Sequence, residues 1–405
     1  MTTQANTQPG YLPPPDPPGP VKWIKDNLFG SLTNTILTIV SGTILYFLIT
    51  GAASWILFEA DWQAVTESPL LYLIGQYPRA EMWRVGAAVS LIVLLTGMSW
   101  GKWNGFLKGV SLGIAAVFAF FAILPIQHPQ LTTTMRLYLL GNAAAVGIGY
   151  LIGRIKGLKP MILAAAWLLT PVIVILLFAG FEGSDVLRKI ETTAWGGLMV
   201  TFLLAIGGIL LSFPLGVILA LGRRSKLPVV KAFSTIYIET IRGVPLITIL
   251  FMFSIILALF LPQETRLDRL LRALMAMTVF SSAYTAENVR GGLQAVPNGQ
   301  IEAAKALGMN SFRIMALIVL PQAIRIVIPA LVGQFISLFK DTTLVIIIGI
   351  NDLLGIGKSI INSSPEFVQM QTEVYLFIAA IYWVFSYLMS MASRRVEKAL
   401  GVGER

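Results

Sequence analysis

Ala295-Val296-Pro297-Asn298-Gly299-Gln300-Ile301-Glu302-Ala303-Ala304-Lys305-Ala306-Leu307-Gly308, running on to Ile318-Val319-Leu320-Pro321, decides how this chain is to be understood. Pro297 and Asn298 are suited to opening a short helix, and Gly308 to closing it. Glu302 lies near the start, where the helix dipole favours an anion. Small Ala303 and Ala304 would leave one side slim enough to seat in a groove on another protein. Long apolar segments flank the stretch, so its place is the surface of a membrane. A helix lying there is a suitable lever for passing a mechanical push to the spans on either side.

The chain around it has the composition of a membrane protein. Of 405 residues, 56% are hydrophobic and 12% charged, where a soluble domain carries about 25% charged residues. Ten apolar segments approach the ~20 residues needed to cross a bilayer. They fall at about 34–58, 85–100, 107–126, 137–153 and 161–180, then 196–221, 229–261, 270–290, 311–337 and 374–392. The second and fourth are short, and 229–261 is too long for one straight span. The latter contains Arg242-Gly243-Val244-Pro245, which predicts a bend there. In the seventh segment the half before that bend is polar. The fold expected is therefore an all-α integral membrane protein of about ten transmembrane helices.

The net charge of +10 does not describe a nucleic-acid surface, because the basic residues sit between apolar runs. With the N-terminus in the cytoplasm, alternate loops collect Lys102, Lys108, Arg154, Lys156, Arg223 and Arg224 on the inner side. Only Asp16, Asp26, Glu302, Glu397 and Glu404 join them there, while most acidic residues fall outside. Both termini are then expected in the cytoplasm. Residues 1–31 read as a Pro-rich, disordered cytoplasmic tail, 32–180 as an N-terminal group of five spans, and 195–400 as a five-span core carrying the loop 295–309. Polar residues 181–195 separate the two groups.

Several kinds of chemistry are excluded. There is no cysteine and a single histidine, His128, read as a loop residue, so no metal site is expected. Gly357-Lys358-Ser359 lacks the glycine that a phosphate-binding loop needs five residues before Gly357, since Asp352 stands there. No catalytic triad, zinc-binding carboxylate arrangement or dinucleotide fingerprint is present, so no catalytic residue is assigned. Gly149 and Gly153 have the spacing of a close helix contact.

The opening stretch also resembles, at every fixed position, the E-A-A, three residues, G, nine residues, I-x-L-P pattern. That pattern marks permease subunits of binding-protein-dependent, ATP-driven importers. Tyr237-Ile238-Glu239-Thr240-Ile241-Arg242-Gly243-Val244-Pro245-Leu246 is similar to a stretch of the polar amino acid permeases within that family. So are Ser282-Ala283-Tyr284-Thr285-Ala286-Glu287-Asn288-Val289-Arg290-Gly291-Gly292 and Lys340-Asp341-Thr342-Thr343-Leu344 with Asp352-Leu353-Leu354. The resemblance covers about residues 195–400. The five extra spans look like those of longer permeases of general L-amino-acid importers.

The resemblance implies a type I ABC importer permease core in the bacterial inner membrane. Glu302, Ala303, Ala304 and Gly308 would couple it to an ATPase dimer that holds the ATP and Mg, this chain binding no cofactor itself. A second, related permease chain and a periplasmic amino-acid-binding protein are the other implied partners. The rival class, an ion-coupled secondary transporter or channel, would need coupling carboxylates at membrane depth or paired repeats, and would leave the loop without a purpose.

Ionisable groups within spans are functional candidates because they are costly to hold there. Glu239 and Arg242, three residues apart, either neutralise each other or gate the path beside the break at Pro245. The eighth span carries Thr278, Ser281, Ser282, Thr285 and Asn288 at helical spacing, either as interhelical hydrogen bonds or as a path lining. Glu287 either receives an ammonium group or pairs with Arg290. Asp341, beside Lys340, either meets a zwitterion at an external gate or belongs to a surface salt bridge. Ser282, Thr285, Glu287, Asn288 and Asp341 are the candidate substrate path.

Overall fold

The computed structural model describes residues 19–124, 129, 131–260, 262, 267–399 and 401. These are helices and connecting turns, with two isolated bridges, Phe181 to Arg188 and Gly197 to Asp352. The chain divides into two units, Met1–Trp62 and Gln63–Arg405.

In the first unit, α1 (Pro20–Leu28) has proline in its first turn, where no amide is needed. Part of the segment expected to be structureless is thus helical: Val21, Ile24 and Leu28 recur at helical spacing among Lys22, Lys25 and Asp26. Residues 1–18, with the proline run, lie outside the described residues, as does His128. In α2 (Leu32–Ser54) the Ser31 hydroxyl accepts the Asn34 amide and caps the start. A π turn over Trp55–Glu59 lengthens it to a 28-residue span, and no side chain on it is buried.

The second unit opens with α3 (Gln63–Thr66) and α4 (Pro69–Ile74), then α5 (Met82–Trp103), α6 (Phe106–Ile123), α7 (Thr133–Gly153) and α8 (Pro160–Ala179). The two spans that read as short run to 22 and 21 residues, because polar Arg84, Lys102 and Arg136 lie within their helices. Arg84 is wholly buried, ion-paired to Glu81 at 3.0 Å and donating to the Arg188 carbonyl at 2.8 Å. α5 and α7 meet through glycines. A Cβ on Gly153 would stand 3.0 Å from the Gly101 Cα, and one on Gly149 would press the Leu94 carbonyl.

Next come α9 (Gly197–Arg223), α10 (Pro228–Gly243), α11 (Leu246–Phe251) and α12 (Leu257–Phe260), the last two joined by a π turn. The expected bend is present. α10 and the α11–α12 stretch meet at 107°, with Val244 extended before Pro245. α13 (Arg269–Ala295) comes after them, then α14 (Asn298–Ala306), α15 (Ser311–Ile314) and α16 (Leu320–Asp341). A 3-10 turn over Thr342–Ile348, α17 (Leu353–Ile361), α18 (Pro365–Gln369) and α19 (Gln371–Ala399) complete the unit.

Among the described residues, eight helical stretches are long and apolar enough to cross a bilayer, and the bent pair makes a ninth. α13 is the tenth. It has 27 residues and is long enough, but its serines, threonines and charges lower its apolarity. It can carry them because it lies at the centre, against α9, α10, α11 and α16. Ala273, Ala276, Ala283 and Ala286 are completely buried along it, and these small side chains let the neighbouring helices approach closely.

Candidate functional site

The site is built on α13, α14 and α16. After Ala295 only Val296 and Pro297 precede α14, so the central helix leads almost directly into the surface helix. α14 closes as a Schellman turn: the Gly308 amide reaches the Lys305 carbonyl at 2.9 Å and Met309 reaches Ala304 at 3.2 Å. Gly308 has φ +76°, where a side chain is strained, and open space where its Cβ would be. Glu302 and Ala303 are exposed, but Ala304 turns inward against Leu293, Val296 and Ile314. The two alanines therefore do not share an outer face. Leu307 and Phe312, not singled out from the sequence, stand 82% and 80% exposed beside the turn. Large apolar residues next to a polar loop were the available signal.

Two turns up α13, Arg223, Glu239, Arg242, Glu287 and Arg290 form one ionic cluster. Glu287 accepts from Arg290, whose Nε lies 3.0 Å from both carboxylate oxygens, and from Arg223 at 3.3 Å. Glu239 meets Arg223 at 2.7 Å instead of pairing with Arg242 on its own helix. Arg242 lies 3.8 Å from Glu287 and stacks over the Tyr284 ring, 5.8 Å from its centroid.

Beside the cluster, α13 and α16 border an open cavity of about 390 Å³ lined by Phe280, Ser281, Tyr284, Asn288, Ala330, Gln334, Ser337, Leu338 and Asp341. Asn288 and Asp341 therefore face it. Ser282 and Thr285 do not: both are fully buried between helices. Ser282 exchanges a 2.9 Å bond with the Tyr237 hydroxyl. Thr285 accepts from Gln334 at 2.9 Å, and Gln334 in turn accepts from Asn288 at 2.7 Å. Gln334 is not among the sequence candidates, although with Leu338 and Asp341 it repeats at helical spacing along α16.

At the end of α16 away from α14, a second polar group is buried. Asp352 accepts the Gly355 amide at 2.9 Å and the Tyr382 hydroxyl at 3.1 Å, and caps α17. Gly357-Lys358-Ser359 lies within α17, with no loop around it, so it has no amide cradle for phosphate.

Fold and site together describe a polytopic helical membrane protein with a cavity of mixed polar and apolar lining and an exposed short helix. The family described as "Binding-protein-dependent transport system inner membrane component" matches residues 212–402. The "Inner membrane amino-acid ABC transporter permease protein YhdY" of Escherichia coli (strain K12) is 37% identical, over 94% of this chain and 93% of that protein. The "Glutamate/glutamine/aspartate/asparagine transport system permease protein BztC" of Rhodobacter capsulatus is 33% identical, over 94% of each. An amino acid ABC transporter crystal structure overlaps 50% of this chain and 92% of its own, with 33% identity and a TM-score of 0.46. The chain belongs to the binding-protein-dependent transport system inner membrane component family. It is a transport subunit and not an enzyme: ATP hydrolysis falls to a separate ATPase, alongside a substrate-binding protein and a permease partner.

Proposed function

We propose that this chain forms part of the path by which an ATP-driven importer moves L-amino acids of several kinds across a bacterial inner membrane. The observation that carries the reading is the cavity between α13 and α16, on the helix that runs into α14. Among the described residues, Asp341 is the only carboxylate lining it, and Asn288 and Gln334, bonded to each other at 2.7 Å, line it too. A carboxylate suits the ammonium group that all amino acids share, and amides suit polar side chains of either kind. A broad substrate range is supported by two relatives of nearly full length, one named for amino acids and one for two acidic and two amide amino acids.

In this reading Glu302, Ala303 and Gly308 meet the ATPase dimer, with Ala304 bracing the helix from behind and the exposed Leu307 and Phe312 completing the contact. ATP and Mg stay on that partner. A movement of α14 tilts α13 and so reshapes the cavity. Glu239 and Arg242, with the break at Pro245, form the inner gate, and Glu287 ties that gate to α13. Ser282 and Thr285 hold the lining in place. Residues 195–400 make the translocating core and 32–180 an added group of spans, with both termini cytoplasmic. That added group favours a related but different chain as the second permease.

The test is uptake of radiolabelled amino acids by the complete importer in proteoliposomes. Asp341→Asn and Asn288→Ala should each cut uptake by about tenfold or more, the loss expected for a charged or well-made polar contact, with the complex still assembled. Normal uptake in both variants would refute the assignment of the cavity.

A further inference from the structure

The ionic cluster does not balance. Arg223, Arg242 and Arg290 bring three positive charges to the two carboxylates Glu239 and Glu287. An excess charge shared among partly buried groups is costly unless something neutralises it. The imbalance falls on one residue. Arg290 and Arg223 both hydrogen-bond to Glu287, and Arg223 also holds Glu239 at 2.7 Å. Arg242 has only the most distant share of Glu287, at 3.8 Å, and its side chain keeps about a third of its surface exposed (34%). It rests over the ring of Tyr284, and Tyr284 lines the cavity. The least engaged guanidinium of the cluster therefore adjoins the cavity, whose lining among the described residues has no basic side chain.

From this we infer that Arg242 is the group that receives the substrate's α-carboxylate. The inference rests on reading the cavity as the substrate path. A planar guanidinium with free donors matches a carboxylate bidentately, and a bound carboxylate would make the cluster neutral. Arg242 ends α10, at the break before Pro245, so the carboxylate would engage the one element whose direction changes there. Asp341 and Arg242 are then opposite fixed charges for the ammonium and the carboxylate. The amino acid is recognised by what all amino acids share, and its side chain is left to the neutral lining.

The test compares L-glutamine with L-glutaminamide, which lacks the carboxylate. Binding to the purified permease–ATPase complex is measured by calorimetry without the binding protein. The wild type should bind glutamine about tenfold or more tightly than the amide, and Arg242→Gln should abolish that preference by weakening glutamine alone. Arg242→Lys should restore part of it. Equal weakening of both ligands by Arg242→Gln would mark Arg242 as a structural partner of Glu287 and overturn the inference. So would unchanged glutamine binding, or a wild type that binds neither ligand or does not distinguish them. Asp341→Asn separates the two levels. If it weakens binding while Arg242→Gln does not, the cavity stands as the path and only the Arg242 assignment falls. If neither changes binding, both fall.

Discussion

Gly308 closes α14, the helix proposed to meet the ATPase, and carries the clearest expectation. Its φ of +76° costs an ordinary L-residue about 1–2 kcal/mol, and Asn pays less than most. Nothing lies within 4 Å of its Cβ position, so a Cβ added there meets no other described part of the chain. Gly308→Asp should therefore reach the membrane in near-normal amounts yet lose most ATP-driven uptake, while Gly308→Asn keeps more; quantitative blotting and uptake check the pair. Normal uptake in Gly308→Asp would remove the turn from the coupling surface. Asp352 gives a pH signature. It lies between the spans that end at Ile348 and begin at Gln371, and burial pushes its carboxyl from 3.8 up to about 6, against the amide and hydroxyl bonds that lower it. A raised carboxyl favours the protonated native state, so its stabilisation is full below 3.8 and is lost as pH rises through about 6. Melting of the purified complex should be higher at pH 5 than at pH 7.5, and Asp352→Asn should flatten that difference; an unaltered slope would contradict it. At this scale the sequence was readable where the signal is local. The Pro297 opening and Gly308 closing of α14 needed only neighbouring residues. The partner of Glu239 was not deducible from helical spacing, which pointed to Arg242, because Arg223 arrives from α9 across the turn into α10. Likewise Ala304 faces inward because of Ile314 and Leu293, contacts made only after the chain has folded.

At the scale of elements, the glycine contact between α5 and α7 is a packing statement that a point change can probe. A side chain on Gly149 would meet the Leu94 carbonyl and the Gly97 backbone, whereas Gly147, on the same helix, faces open space. Gly149→Val should therefore destabilise the protein by about 1–3 kcal/mol, as overpacking does. Gly147→Val should lower the melting temperature far less. Equal effects would mean that helix propensity, and not the contact, decides. The bend at Val244-Pro245 was legible because proline fixes its own conformation and restricts the residue before it. The true lengths of α5 and α7 were not, because Arg84 and Arg136 look like the ends of spans until their carbonyl partners are seen. α13 is the instructive case. It reads as an apolar segment in the sequence, yet its polar residues divide between a cavity lining, where Ser281 and Asn288 face, and buried contacts with α10 and α16, where Ser282 and Thr285 lie. Helical spacing grouped these side chains correctly on one helix, but which of them face a neighbour depends on how the helices cross.

For the whole molecule, family membership and an all-helical membrane architecture of about ten spans were both within reach of the sequence, through the loop pattern and the apolar segments. The cavity was not, since it needs α13 and α16 side by side, and their facing residues lie about fifty positions apart: Asn288 bonds Gln334 across 46. In the proposed function, chemical energy enters through α14 and acts on that cavity. That coupling is tested most directly by amino acid uptake into proteoliposomes holding the complete importer, with ATP inside, or with a proton or sodium gradient and no ATP. Uptake should require ATP and the binding protein, ignore the ion gradients, and be lost in Gly308→Asp. Uptake driven by an ion gradient without ATP, and insensitive to Gly308→Asp, would instead describe a secondary transporter and contradict the account.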